Sequence, residues 1–207
     1  MPEPLIKLAE KGSLKKFQAC LTAQKHPPEV LEEALRYALV FPQAQKVALL
    51  LEAGTDPLAR NREDAEFLAH AAVGGDPKLV HQMLELGCDP NHRLTTGRTP
   101  LHDAAYSREP AAIQVLLAAG AKPNVADNQG WTPLLDALRN RNGCEAALLL
   151  IEADANPEAR SPGEQRTPLM LAVLGKQEPC ARRLIERGAD LEATDFIGCR
   201  PLMHAAM

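Results

Sequence analysis

One tripeptide recurs along the chain at an almost constant interval. Thr-Pro-Leu begins at residues 99, 132 and 167, and Arg200-Pro-Leu repeats it with one change, so the intervals are 33, 35 and 33 residues. Glycines follow the same period at positions 54, 87, 120 and 188. Threonine is a favoured N-cap, proline suits the first helical position, and glycine ends a helix in a left-handed conformation. The period therefore predicts a series of short helices with fixed starts and ends.

The segment from Arg98 to Asn124 contains the clearest repeat. It predicts two short helices, each with one apolar face. Two such helices are too small to bury those faces alone, so the unit needs neighbours of the same kind. The apolar faces consist of Leu101, Ala104 and Ala105 in the first helix and of Ile113, Leu116 and Leu117 in the second.

A period of 33 residues headed by Thr-Pro-Leu-His resembles the ankyrin repeat. The resemblance covers nearly the whole chain and implies an all-α solenoid, in which helix–turn–helix units are joined by hairpin loops and curve around a concave face. We expect a single domain over residues 1–207. The repeats lie at about 1–28, 29–60, 61–93, 94–126, 127–161 and 162–194, with a partial repeat at 195–207.

Two departures from the regular pattern each lead to a prediction. The fifth repeat has Asp154 where the others end their second helix with glycine, which predicts a slightly strained left-handed cap. The last unit has only one helix, so Leu202, Ala205 and Ala206 lack a covering partner. That open end predicts fraying, or self-association of the chain through it.

Composition limits the classes of partner. The chain has 23 basic and 27 acidic residues, which argues against binding to nucleic acid or to a membrane surface. No apolar run reaches the ~18 residues of a membrane span, and the first residues lack the core of a signal peptide. Its five cysteines are scattered, as is typical of reduced intracellular proteins. We expect a soluble cytoplasmic protein, with export to another cell left open.

The sequence motifs of catalysis are each incomplete. There is no phosphate-binding loop, no dinucleotide-binding glycine motif, no His-Glu-x-x-His and no serine nucleophile elbow. His81, Cys88 and His92 are the nearest approach to a metal cluster, but their spacing matches no zinc module. We therefore expect no enzyme activity, no metal and no cofactor. His102 beside Asp103 suggests acid–base chemistry, but the resemblance implies that this histidine hydrogen-bonds the threonine of its own motif.

The remaining capacity of such a chain is recognition. In the ankyrin repeats that it resembles, a partner usually contacts the tips of the hairpin loops, called fingers, and the exposed C-terminal residues of the first helices. The resemblance therefore implies that a protein partner is bound by residues at those positions. The candidates are Phe41, Arg62, Val73, Arg98, Tyr106, Asn128, Gln129, Trp131, Arg139, Arg166 and Leu174.

These candidates differ in how well packing alone would explain them. Packing against a neighbouring finger explains Trp131 as well as binding does, and Phe41 is better explained as filling a turn. Tyr106 and Arg139 lie one repeat apart, and the pattern gives them no packing partner, so we favour partner contact for both. Arginines recur in the fingers at 60, 62, 93, 98, 160 and 166, which indicates either an acidic partner or ordinary solvated loop tips.

The sequence thus predicts a non-catalytic module or scaffold for protein–protein interaction, which binds through its concave face and fingers. Three alternatives stay open. The first is a stoichiometric inhibitor of an enzyme or toxin. The second is an enzyme with a groove site around His102, Asp103, Asp136 and Arg139. The third is an architectural role through self-association of the open C-terminal repeat.

Overall fold

The computed structural model describes residues 5–40, 43–55, 64–106, 110–140 and 142–206. Within these ranges the chain forms thirteen α-helices and no strand. No helix among the described residues is both long and apolar enough to cross a bilayer. The helices are α1 (Leu5–Lys11), α2 (Leu14–Ala23), α3 (Pro28–Val40), α4 (Ala44–Glu52), α5 (Asp64–Gly74), α6 (Pro77–Glu85), α7 (Pro100–Tyr106), α8 (Ala111–Ala118), α9 (Pro133–Arg139), α10 (Cys144–Glu152), α11 (Pro168–Leu174), α12 (Glu178–Glu186) and α13 (Pro201–Ala205).

The helices form two layers. The odd-numbered helices, from α1 to α13, each pack against the next odd-numbered helix. In the second layer, α2 packs on α4, and α6, α8, α10 and α12 pack in succession. Each even-numbered helix also packs on the odd-numbered helix that precedes it. This succession of helix pairs confirms the predicted all-α solenoid, whereas the exact repeat boundaries stay predictions.

A continuous apolar core runs between the layers, and it repeats with the sequence. At one equivalent position, each odd-numbered helix from α3 to α11 has a buried leucine. Three residues later it has a buried alanine, whose small side chain lets neighbouring helices approach closely. Each even-numbered helix from α4 to α12 contributes a large residue with no exposed surface. The leucines are 35, 68, 101, 134 and 169, the alanines are 38, 71, 104, 137 and 172, and the large residues are Leu50, Met83, Leu116, Leu150 and Leu184.

The even-numbered helices end as the glycine period predicts. At Gly120, φ is 86°, and the backbone N–H groups of Gly120 and Ala121 donate to the carbonyls of Leu117 and Leu116. This pair of bonds is a Schellman motif, which satisfies carbonyls that the helix leaves free. Gly54, Gly87 and Gly188 also have positive φ, and so does Asp154, with φ of 58°. The strained left-handed cap predicted at Asp154 is thereby confirmed.

Threonines start the helices where the motif predicts it. The Oγ1 atoms of Thr132 and Thr167 accept hydrogen bonds from the backbone N–H groups of Leu135 and Met170, each at 3.4 Å. These bonds satisfy amide groups that a helix N-terminus leaves unpaired. Thr132 and Thr167 are therefore N-caps, as the Thr-Pro-Leu period predicts.

Asparagine side chains tie the loops of successive repeats together. The Oδ1 atom of Asn91 accepts from the backbone N–H of Lys122 at 2.8 Å, and its Nδ2 donates to the carbonyl of Gly120 at 2.9 Å. Asn124 makes the equivalent pair of bonds one repeat later. These bonds fix how each loop packs on the next one and so help to set the spacing between successive repeats.

A buried lysine joins the first two helix pairs. Lys46 on α4 extends its Nζ to the carbonyl oxygens of Leu8, Ala9 and Gly12, at 2.6, 3.2 and 2.7 Å. These acceptors lie at the C-terminal end of α1, where a cation is favoured by the helix dipole. The Nζ also lies 5.5 Å from the ring centroid of Phe17. Lys46 therefore satisfies the end of α1 from the neighbouring repeat, although burial lowers the pKa of its ammonium.

Candidate functional site

Four exposed side chains occupy equivalent positions on four successive odd-numbered helices. Val73 is the penultimate residue of α5, and Tyr106, Arg139 and Leu174 are the last residues of α7, α9 and α11. Their exposed fractions are 53 %, 55 %, 45 % and 39 %, the value for Arg139 being that of its side chain. Because these helices pack in succession, the four positions are aligned across them. We call this set the helix-end row.

The helix-end row is exposed because of its place on each helix. In α7, Ala104 and Ala105 are fully buried, and the next residue, Tyr106, is turned out of the core at the point where the helix ends. Its phenol ring and the side chains of Val73 and Leu174 therefore present apolar surface to solvent. Of these three, tyrosine is the residue type that is enriched among the side chains that dominate binding energy.

An open depression of about 320 Å³ adjoins the row at Val73. Its wall also includes Ala69 and His70 from α5, Leu94 from a finger and Asp103 from α7. Three of the five lining residues are apolar, and the other two can exchange hydrogen bonds. The wall of the depression therefore combines apolar and polar groups beside the exposed valine.

Arg139 is held more firmly than the sequence pattern predicts. Its guanidinium lies 4.7 Å from the centroid of the Trp131 ring, and its Nε lies 3.6 Å from Oδ1 of Asp136. The indole is partly buried and packs against the core. Trp131 and Arg139 thus form one stacked unit, in which the tryptophan packs and the arginine covers it while remaining half exposed.

Arg98 lies within the fold and links two repeats. Its Nε donates to Oδ1 of Asp103 at 3.0 Å, and its Nη1 donates to Oδ2 of Asp136 at 2.8 Å. Oδ2 of Asp127 lies 3.8 Å from the same Nη1. Burial opposes the charge of Arg98, but Asp136 and Asp103 outweigh it and raise the pKa of the guanidinium. Burial also disfavours the charged form of Asp103, and it raises the pKa of that carboxyl although Arg98 lowers it.

The other finger candidates are also tied to neighbouring backbone or side chains. Asn128 donates from its backbone N–H to Thr96 at 3.0 Å and from its Nδ2 to Thr95 at 2.9 Å, both to carbonyl oxygens of the preceding finger. Gln129 is exposed, and its backbone N–H donates to Oδ1 of Asp127 at 2.8 Å. These contacts fix the shape of the finger and leave the side chain of Gln129 at its surface.

The recurring finger arginines are also bonded to backbone or side chains of the loops. Arg93 donates to the carbonyl of Ala126 in the next finger at 2.9 Å. Arg160 donates to the carbonyls of Gln165 and Thr194, at 3.0 and 2.6 Å. Arg166 pairs with Glu164 at 2.8 Å. Arg93 and Arg160 thus join successive loops and Arg166 pairs within its own finger, which weakens the idea of an acidic partner. Phe41, Arg60 and Arg62 lie outside the described residues.

His102 takes the structural role that the resemblance implies. Its Nδ1 lies 2.9 Å from Oγ1 of Thr99, and accepts a hydrogen bond from the Thr99 backbone N–H at 3.0 Å. Its Nε2 lies 3.1 Å from the carbonyl oxygen of Trp131 in the next repeat. The ring is fully buried, and burial lowers its pKa. Both nitrogens are thus engaged within the fold, and the carboxylates nearby bind Arg98, so the groove enzyme gains no support here.

The structure groups potential metal ligands differently from the sequence. Among the described residues, three ligand atoms lie within 4.8 Å of one another in Asp195, Cys199 and His204, rather than in the cluster of His81, Cys88 and His92. All three residue types can bind zinc. Hydrogen bonds also account for their proximity, because Oδ1 of Asp195 accepts from the Cys199 backbone N–H and Oδ2 lies 2.9 Å from Nε2 of His204. The sequence pattern did not single out this group, because no metal-binding motif has its spacing.

Comparison with known proteins agrees with the period of the sequence. A family model described as ankyrin repeats in three copies matches residues 68–161 and, in a second match, residues 142–207. Together the two matches span more than half of the chain. No curated protein shows significant sequence similarity to it.

Proposed function

Because the chain belongs to the ankyrin repeat family, we propose that it is a non-catalytic module that binds a protein partner through the helix-end row. The observation that carries this proposal is the alignment of Val73, Tyr106, Arg139 and Leu174, all substantially exposed, on four successively packed helices. Ankyrin repeats in general are protein-interaction modules, so the proposal specifies which surface of this chain does the binding.

Rigidity of the backbone supports the proposal. The row stands on helices whose inward-facing leucines and alanines are buried, and asparagine and arginine side chains hydrogen-bond the loops to one another. A surface that is already ordered loses little conformational entropy when a partner binds, which favours affinity.

The chemistry of the row also suits an interface. Tyrosine and arginine are enriched among residues that dominate binding energy. Here Tyr106 and Arg139 lie next to each other in the row, between the apolar side chains of Val73 and Leu174. We therefore expect a partner that presents apolar side chains to the row and a hydrogen-bond acceptor to the free edge of the guanidinium.

Site-specific photocrosslinking tests the proposal directly. A photoreactive phenylalanine analogue is placed at residue 106 or 174, and as a matched control at Gln114, which is exposed on α8 in the other helix layer. We expect one protein to be captured from positions 106 and 174 and not from position 114, as identified by mass spectrometry of the crosslinked species.

Two results would contradict the proposal. Capture that is equal at all three positions means that the row is not the binding surface. Capture of a second copy of this chain alone favours self-association over a separate partner. If the captured protein is an enzyme that loses its activity at a one-to-one ratio, the module acts as an inhibitor through the same row.

A further inference from the structure

Two cysteines of neighbouring repeats meet between the even-numbered helices. Cys144 is the first residue of α10, Cys180 is the third residue of α12, and the two helices pack together. Their Sγ atoms lie 2.7 Å apart. The Cys180 thiol also lies 3.3 Å from the Cys144 carbonyl oxygen, to which it can donate.

This separation is closer to a covalent bond than to a packing contact. A disulfide bond is about 2.05 Å long, so the sulfurs at 2.7 Å need to approach by only about 0.65 Å. Non-bonded carbon atoms, which are smaller than sulfur, already make contact at about 3.5–4.0 Å. The packing of α10 on α12 therefore holds the two sulfur atoms within reach of each other.

We propose that Cys144 and Cys180 are a site of oxidative modification, where a small-molecule disulfide such as glutathione disulfide converts the two thiols into an intrachain disulfide. The bond would join residues 36 positions apart and clamp the second helices of two adjacent repeats. It lies in the helix layer opposite the helix-end row.

The exposure of the two thiols sets the order of the steps. Cys144 is partly exposed and Cys180 is fully buried, so the Cys144 thiolate attacks a sulfur of glutathione disulfide and releases one glutathione thiolate. The Cys180 sulfur, after losing its proton to a base in solvent, attacks Sγ of Cys144 and releases the second glutathione thiolate. The two protein thiols lose two protons and two electrons, and the glutathione disulfide takes up the two electrons.

The second step depends on pH. Burial raises the pKa of the Cys180 thiol, and only the thiolate attacks a disulfide efficiently. The conversion of the mixed disulfide into the intrachain disulfide is therefore expected to accelerate as the pH rises. The short distance between the sulfurs compensates, because the attack is intramolecular and needs no diffusion.

The test treats the full chain with glutathione disulfide and follows it by intact mass, thiol titration after unfolding, and peptide mapping. We expect the mass to fall by two hydrogens without retained glutathione, and the free thiols to fall from five to three, with peptides containing Cys144 and Cys180 linked. Crosslinking of a 36-residue interval should also raise Tm by about 5–10 °C, reversibly with a reductant.

Three variants serve as controls. Cys144→Ser and Cys180→Ser should each abolish the linked peptide, and Cys180→Ser should retain one glutathione on Cys144. Cys199→Ser, a partly buried cysteine in a different loop, should leave the linkage unchanged. Stable glutathionylation of the wild-type chain, a linkage between other cysteines, or five unreacted thiols after prolonged exposure would overturn the proposal. Mapping of the wild-type chain decides this even if a variant fails to fold.

Discussion

The helix-end row and the finger loops both expose polar or large side chains, but they are held in different ways. In the fingers, Arg98 binds two carboxylates and Arg160 binds two carbonyls, and each arginine reaches the following repeat. In the helix-end row, Tyr106 and Leu174 are exposed at the ends of their helices. Groups whose hydrogen bonds are satisfied within the fold gain little from a partner, because a new bond only replaces an existing one. We therefore attribute stability to the fingers and predict that recognition belongs to the row.

The change Arg98→Ala is the strongest test of the structural role of the fingers. It removes the guanidinium that binds Asp103 and the almost fully buried Asp136, and among the described residues it leaves Asp136 with only the Arg139 cation at 3.6 Å. A buried charge that loses its closest partner is costly. We expect the free energy of unfolding to fall by about 3 kcal/mol in urea denaturation. The control is Arg182→Ala, since that arginine pairs with Glu178 on an exposed face, and it should cost less than about 0.5 kcal/mol. Equal losses in the two variants would contradict the structural role of Arg98.

The second change tests the buried histidine that connects a helix to the next finger. Burial lowers the pKa of His102 below its ordinary value of 6.5. Below pH 6.5 the unfolded chain therefore takes up a proton at this ring that the folded chain excludes, so the stability from His102 is present above 6.5 and is lost as the pH falls. We expect the wild type to be more stable than His102→Met at pH 7.5, by about 1 kcal/mol, and this difference to shrink at pH 5.

Methionine is the matched replacement because residue 170 is a methionine at the same position of a later repeat, where Thr167 caps the helix. Thermal unfolding from pH 5 to 7.5 measures the difference. If the stability of wild type and variant changes in parallel over that range, the titration of His102 does not contribute.

An effect of similar size is expected from Arg160→Ala. The side chain is exposed, and its Nη1 donates to one carbonyl in its own finger and to Thr194 in the next. Loss of these bonds should lower the free energy of unfolding by about 1 kcal/mol. It should also increase amide hydrogen exchange in the finger at 190–200. Arg160→Lys is the matched control, because a lysine keeps the positive charge on a different, more flexible side chain. Wild-type exchange rates in the alanine variant would contradict the role of Arg160 in finger stacking.

The sequence predicted much of the fold because the helix boundaries depend on local chemistry. Thr132 and Thr167 cap their helices, and Gly120 and Asp154 end theirs with positive φ, as the period indicates. The hydrogen bond between His102 and Thr99, which the resemblance implied, is also confirmed. These features involve residues only a few positions apart, so the pattern of a single repeat determines them.

The side-chain partners between repeats could not be predicted in the same way. The sequence pattern placed Arg98 at a fingertip. Its partner Asp136 lies 38 positions later, and only the packing of α7 on α9 brings the two side chains together. The stacking of Arg139 on Trp131 and the contact of Cys144 with Cys180 depend likewise on side-chain directions that a repeat pattern does not specify. The binding role of the helix-end row stays a prediction.

The smallest effect on stability is expected where the effect on binding is largest. Tyr106 is the last residue of α7 and more than half exposed, so Tyr106→Ala removes little buried surface and should change the free energy of unfolding by less than about 0.5 kcal/mol. If the ring enters a pocket of the partner identified by crosslinking, the same change should weaken binding at least ~30-fold, which is about 2 kcal/mol. Gln114→Ala in the opposite layer should change neither quantity, as measured by calorimetric titration and urea denaturation. Unchanged affinity in both Tyr106→Ala and Leu174→Ala would remove the row as the binding surface. A loss of stability equal to the loss of binding would mean that the row, like the fingers, belongs to the scaffold.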